Sequence, residues 1–439
     1  MTPGAKKNLK NILFVPVALV LSIILATGLM ILVYLIPTDR IRDNIISSGD
    51  IYDREGLTNY YNEYLVSSRM DNYTDSVMQA EAAYDGDENV VVKALQSKYH
   101  YLTDMEDYTS PGYINKLMMH GEDTNSIVAS YARYWHGYLL LLKPLFLVIN
   151  MHGMRILNGA FQILMLAAVL FGLVRKGQKK LIAPLLVSIL VINPVSTILN
   201  MQFACMYNIT LVLLVIMLYT KISEGDGYWK LFLFSGIATA FFDFLTYPLI
   251  SLGIPLVLMI CLRGEKSSDN IRTTFFSCIN WGIGYAVMWA SKWVVCDLVT
   301  GSNVIEDAIH QVSARTVTNA YDEIGLDSTN IISVFGYNFI PLRDIPMVAL
   351  FVLSVIALVL YMVFAKKKIK ICEESLIALL LIALIPFAWY AVLSNHSAVH
   401  YWMTYRNLTV MIFSLGTVIM SSVVNRVPAG GKGDVVKQG

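Results

Sequence analysis

Cysteine is scarce and poorly placed for pairing: Cys205, Cys261, Cys278, Cys296 and Cys372 all sit in or beside long apolar runs, and the long polar segments hold none. A disulfide framework is therefore excluded as the source of order in those segments. Charge is equally thin, at 15% of 439 residues against 56% hydrophobic. That composition belongs to a chain built for a bilayer, and the formal net charge of +1 offers nothing to nucleic acid. The short connections between apolar runs lack a Gly-rich phosphate loop and any strand followed by a helix, which removes support for an ATP-driven pump. There is no repeat at a fixed period, and the one biased tract is the Gly-rich tail from Pro428.

What is present is a series of apolar runs, at 11–36, 156–174, 181–199, 203–219, 231–245, 247–262, 273–295, 346–364, 375–393 and 408–424. A helix needs about 20 mostly apolar residues to cross the hydrocarbon, because every backbone polar group must be satisfied within it. The pattern predicts an all-α polytopic membrane protein with about ten transmembrane helices. The first run follows Lys6, Lys7 and Lys10, is too long for a signal-peptide core and is read as a retained span. The pair flanking Tyr247 and Pro248 is the one open to another reading, as a re-entrant hairpin or a single broken helix.

Basic residues fix the orientation, since short cytoplasmic loops retain them. Alternating ten spans from a cytoplasmic N-terminus gathers Arg175, Lys176, Lys179 and Lys180, then Lys221 and Lys230, then Arg263, Lys266 and Arg272, then Lys366 to Lys368 and Lys370, and finally Arg426, Lys432 and Lys437 on one side. Acids dominate the other side. The resulting plan is a cytoplasmic N-terminus and first span (1–36), a large first outer loop with an interfacial helix (37–150), a central bundle (151–296), a second outer loop (297–345), C-terminal spans (346–424) and a cytoplasmic tail (425–439). This is a cell-membrane protein with its functional surface outside.

Four polar constellations stand out. In the first outer loop, 70–84 reads as a helix ended by a turn at Asp85, Gly86 and Asp87. Asp71 and Asp75 lie four apart, so a helix puts both carboxylates on one face, where repulsion raises one pKa and makes a base. The alternative is a solvated acidic face with Asp71 as a helix cap. Arg133 and His136 lie among Tyr131, Tyr134, Trp135 and Tyr138, in a segment (131–149) read as an interfacial helix with its aromatics at headgroup depth. A guanidinium there grips a lipid phosphate, or else serves as one more member of an aromatic and basic anchoring belt. Asp243 is an acid inside an apolar run beside Pro248, placed either to bind substrate or to cap a helix break. Lastly, His396, His400, Tyr405 and Arg406 fill a short turn before the final run. The histidines have helical metal-ligand spacing but no glutamate follows the first, so a divalent metal is unsupported by a ligand motif, and phosphate or sugar binding competes with plain surface polarity.

The stretches "DNYTD", "RYWHGY", "FDFLTYPL" and "NHS…HYWMTYRN" resemble those of a poorly characterised group of bacterial multi-pass proteins, and the plan is similar to the GT-C glycosyltransferase fold. Better-known GT-C enzymes carry their catalytic acids very soon after the first span, where this chain has Asp39 and Asp43. The resemblance implies a polyprenyl-phosphate-linked sugar as donor and an envelope glycan, lipid or polymer as acceptor. Independent chemistry points the same way: sugar nucleotides are made in the cytoplasm, so an outward-facing transferase needs a lipid-borne donor. Asp71 or Asp75 is then the base, with Arg133, Arg406 and His400 at the leaving phosphate. Two other classes compete. A transporter or lipid flippase would use breaks at Asn193-Pro194 and near Asp243; a non-catalytic envelope scaffold would tolerate single polar substitutions.

Overall fold

The computed structural model describes residues 3–119, 125–316, 330–371 and 373–425. The side chains of Lys6, Lys7 and Lys10, together with Cys372, Arg426, Lys432, Lys437 and the Gly-rich tail, lie outside the described residues. The helices that position the site are α1 (Pro3–Tyr34), α2 (Asn72–Ala83), α3 (Val90–Gln96), α4 (Leu139–Phe146), α5 (Met151–Arg175), α6 (Ile182–Ile192), α7 (Pro194–Leu199), α8 (Met201–Tyr219), α9 (Trp229–Phe242), α10 (Ile250–Arg263), α11 (Ser267–Thr300), α12 (Val304–Thr316), α13 (Ile345–Phe364), α14 (Glu373–Val392) and α15 (Leu408–Ser422).

Every apolar run is helical over most of its length, so the all-α expectation holds. Among the described residues five helical stretches are long and apolar enough to cross a membrane: Leu13–Tyr34, Met151–Arg175, Met201–Tyr219, Ile345–Phe364 and Glu373–Val392. The other runs differ for local reasons. Asn193, at φ 68°, ends α6 after 11 residues and starts α7 as its cap. The helices α9 and α10 have 14 residues each and fold back on one another, with Ser235 Oγ donating to Ser251 O at 2.8 Å and Arg263 Nη1 reaching back to Ser223 O at 3.0 Å. The Tyr247-Pro248 region is thus an antiparallel hairpin of two helices.

The hairpin packs tightly on α11 because two glycines meet there. A Cβ at Gly236 would lie 2.1 Å from Trp281 O, and one at Gly284 would lie 2.3 Å from Leu233 O, so backbones touch where any side chain would separate them.

The bundle has two ends of different character. At one, Phe14 meets Trp229 at 5.7 Å, Gln178 donates to Cys261 O, Lys180 donates to Val423 O, and the strands Lys367–Ile369 and Val423–Asn425 pair antiparallel. These contacts bring the basic connections together. At the opposite end the first long loop folds into a unit of short helices and one antiparallel pair of strands, Lys98–Leu102 with Ser126–Ser130. Its core is continuous with that of the bundle. The unit is pinned by a two-point Arg155–Glu55 ion pair at 2.6 and 2.8 Å and by Asn193, whose amide donates to Ser67 O at 3.2 Å.

The interfacial-helix expectation needs correction. Helix α4 covers only Leu139–Phe146, and the preceding aromatics Tyr134, Trp135 and Tyr138 are buried in the protein core. Trp135 Nε1 donates to Met288 O at 2.6 Å and Tyr134 stacks on Trp289 at 5.9 Å, so α11 takes the rings that the sequence pattern assigns to headgroups.

Candidate functional site

The acid pair of the first loop divides into two roles. Asp71 caps α2: its carboxylate accepts from Thr74 N at 3.2 Å and Thr74 Oγ1 at 2.8 Å. Burial holds this carboxyl above its ordinary range, against the opposing pull of the Thr74 bonds and the Arg69 and Arg406 charges. Asp75, one turn on, instead reaches across to the N-terminus of α8, where it accepts from Met201 N at 3.0 Å, Gln202 N at 3.1 Å and Asn200 Nδ2 at 3.2 Å. Burial is the main cause that pushes Asp75 up to about 7, and repulsion from Asp71 contributes less. With its oxygens committed to orphan helix donors, Asp75 is a joint between loop unit and bundle.

Four further candidates are equally committed. Arg406 is fully buried and donates to Ile192 O at 3.0 Å, Trp402 O at 3.2 Å and Ser67 O at 3.2 Å, with Phe203 4.2 Å from its guanidinium. Tyr405 beside it donates to Val191 O at 3.1 Å. The Asp243 carboxylate is closed on its own turn, accepting from Leu245 N at 3.0 Å, Thr246 N at 3.1 Å and the Thr246 hydroxyl. His396 bonds the Leu245 carbonyl at 2.8 Å through Nε2 and so ties the last polar turn to that break.

The pair Arg133 and His136 separates. Arg133 forms an ion pair with Asp307 of α12 at 2.6 Å, half-exposed, while its carbonyl accepts from Trp289 and Trp293, both at 3.0 Å. His136, at φ 53°, is buried and bonds Tyr138 Oη at 2.7 Å through Nδ1 and Tyr131 O at 2.7 Å through Nε2, with Glu81 Oε2 3.1 Å from Nδ1. Tyr138 also donates to Glu81. Among the described hydrogen bonds none reaches Glu81 Oε1, so this carboxylate is incompletely satisfied in the core.

What remains available lies where 66–71 and 394–407 meet. The Arg69 guanidinium sits 4.4 Å from the Trp402 ring centre, and its Nε is buried without a hydrogen-bond partner. His400 is half-buried, its ring centre 4.7 Å from that of His396. Burial and the Arg315 and Arg69 charges push His400 down to about 4, so it is a neutral imidazole near pH 7. The Arg69 charge thus acts on both Asp71 and His400. Arg69 and Trp402 fall within the polar stretches that the sequence singles out, but sequence reasoning assigns neither a role; the signal for Arg69 is its place two residues before Asp71 in the same stretch.

Among the described residues no three His, Cys, Asp or Glu side chains gather as a metal site. No family model matches the chain, and no curated protein or solved structure matches it.

Proposed function

We propose that the protein is a GT-C-like membrane glycosyltransferase that moves a sugar from a polyprenyl-phosphate donor to an acceptor hydroxyl of an envelope glycan, lipid or polymer on the outer face. In this reading the ten apolar segments alternate across the cell membrane with both termini cytoplasmic, and the loop unit faces outward.

The observation that carries the proposal is the meeting of a capping acid with an uncommitted cation: Asp71 lies in the electrostatic reach of Arg69, whose guanidinium rests on Trp402 beside His400. Asp71 takes the proton of the acceptor hydroxyl as its oxygen bonds to the anomeric carbon. The bond from that carbon to the donor phosphate oxygen breaks, and the lipid phosphate departs with the electron pair. Arg69 stabilises the developing charge and the neutral His400 donates one N–H to it. A single displacement inverts the anomeric centre. Relative to the sequence-based assignment, the cation at the phosphate moves from Arg406 and Arg133, which are held by carbonyls and by Asp307, to Arg69.

Transport is the weaker reading on the same observations. Broken helices are present at Asn193 and Asp243, but the polar groups that a transported substrate would need are spent within the protein, on Ser67, Ser196, Leu245 and Thr246.

The test is transfer by purified protein in proteoliposomes containing a polyprenyl-phosphate sugar, read as release of polyprenyl phosphate. Asp71→Asn should abolish release while the protein stays folded. Full activity of that variant removes the assignment of the base, and wild-type protein that carries solute across the vesicle without transfer removes the reaction.

A further inference from the structure

The loop unit contains a cavity of about 590 Å³ that none of the four polar constellations predicts. Its walls include Tyr52, Tyr73, Tyr101, Tyr108 and Tyr113, drawn from five separate segments between the first apolar run and the strand pair. Tyr52 and Tyr113 are buried and form the floor, 6.2 Å apart. Tyr73, Tyr101 and Tyr108 are half-buried above them, with Tyr73 and Tyr101 each 6.0 Å from Tyr108.

The hydroxyls explain how the rings are held. Tyr52 accepts from Gln79 Nε2 at 2.5 Å, Tyr113 shares a 2.9 Å bond with Ser76, and Tyr108 donates to Leu102 O at 2.7 Å. Among the described residues the Tyr73 hydroxyl has no protein partner, and neither do the side chains of Thr58 and Asn59 at the rim. Of the two charged wall residues, Arg54 pairs with Asp50 at 2.8 Å, and Asp53 accepts from the uncharged Gly112 N at 2.8 Å.

Those features define a ligand. Flat rings with half-exposed faces accept the C–H face of a ring, unspent hydroxyl and amide groups accept and donate to hydroxyls, and a wall whose arginine is already paired and whose Asp53 carboxylate has no cationic partner leaves no attraction for an anion. A cavity of this size holds a small molecule of a few rings. A lipid chain would leave the hydroxyls unpaired, at a cost, and an acidic ligand would find no free cation.

We infer that this tyrosine-lined cavity binds a neutral saccharide. Tyr73 lies in the first turn of α2, the same turn that Asp71 caps, so a saccharide held here stands beside the proposed base. The binding itself is independent of the transferase reading; its role as acceptor subsite rests on that reading.

The experiment is calorimetric titration of the full-length protein in nanodiscs with short neutral oligosaccharides of glucose, galactose and mannose, and with their phosphorylated counterparts. Saturable binding of a neutral oligosaccharide is expected, weakened about tenfold by Tyr101→Ala and much less by Tyr101→Phe, which keeps the ring. Asp71→Asn should leave this binding in place even where it stops transfer. Should Tyr101→Ala misfold, wild-type protein still answers: bound saccharide should protect Tyr73 and Tyr101 from nitration, read by mass spectrometry. No saturation by any neutral oligosaccharide, tighter binding of the phosphorylated ones, or unprotected tyrosines at saturation each overturns the inference. Transfer to a non-saccharide acceptor alongside such a result would leave the transferase reading standing without it.

Discussion

The guanidinium of Arg69 lies 4.4 Å from the centre of the Trp402 ring, with its Nε buried and unpartnered. An arginine stacked on an aromatic face keeps its fork of donors free for a planar anion. By contrast Arg406, six positions after His400 and bound at every nitrogen, has its donors divided among three carbonyls.

Arg69→Ala should therefore lower kcat/KM for polyprenyl-phosphate sugar by roughly 100- to 1000-fold with the melting temperature unchanged, the pattern of a lost transition-state contact. A variant that melts early at wild-type kcat/KM would place Arg69 among structural residues.

The opposite outcome is expected for Arg406→Ala. Its removal strands three buried carbonyls and empties the space beside Phe203, so destabilisation of about 3–5 kcal/mol should appear in denaturant titration of the detergent-solubilised protein. A loss below about 1 kcal/mol would mean that water replaces the guanidinium at these carbonyls.

Asp75 makes stability depend on pH. Its ordinary value of 3.8 in the unfolded chain rises to about 7 in the fold, so between those values the folded protein holds more protons than the unfolded one. The carboxyl's contribution is thus fully present below about pH 4 and is lost as pH rises through about 7. Thermal melts of wild type and Asp75→Asn across that window should show a steeper downward slope in the wild type, the slope left in the variant being that of the buried Asp71. Parallel curves would mean that the carboxylate stays ionised at the α8 N-terminus.

Much of this architecture is legible in the sequence, and the misreadings have particular causes. Apolar run length finds the helices because each must satisfy its backbone internally, and the lysine pattern finds the shared end that contacts at Arg263 and Lys180 draw together. The cap role of Asp71 was visible too, as one of two readings of an acid before a helical stretch. Pairings between distant segments were not. Nothing local says that Asp75 seeks Met201 or that Trp135 seeks Met288, because those contacts join residues 126 and 153 positions apart. Polar residues look free in a sequence until the far element that occupies them is in place.

Activity should also report on Asp71. Since burial raises its carboxyl above the ordinary carboxylate range, and only the ionised form accepts the acceptor's proton, the acid limb of the kcat/KM profile should lie above that range. His400, already neutral above about pH 4, should contribute no limb near neutrality. Persistence of the same limb in residual Asp71→Asn activity would assign it to another group.

Sidedness decides whether a lipid-borne donor is needed at all. With native cysteines replaced by alanine, Tyr64→Cys in the loop unit and Lys368→Cys at the basic end place one exposed thiol at each end of the bundle. Intact cells treated with a membrane-impermeant maleimide should label Tyr64→Cys, and Lys368→Cys should label only after permeabilisation. The reverse pattern would put Asp71 and Arg69 on the cytoplasmic side, where sugar nucleotides are at hand. The chemical reason for a polyprenyl-phosphate donor would then disappear, although the acid and the stacked cation would remain.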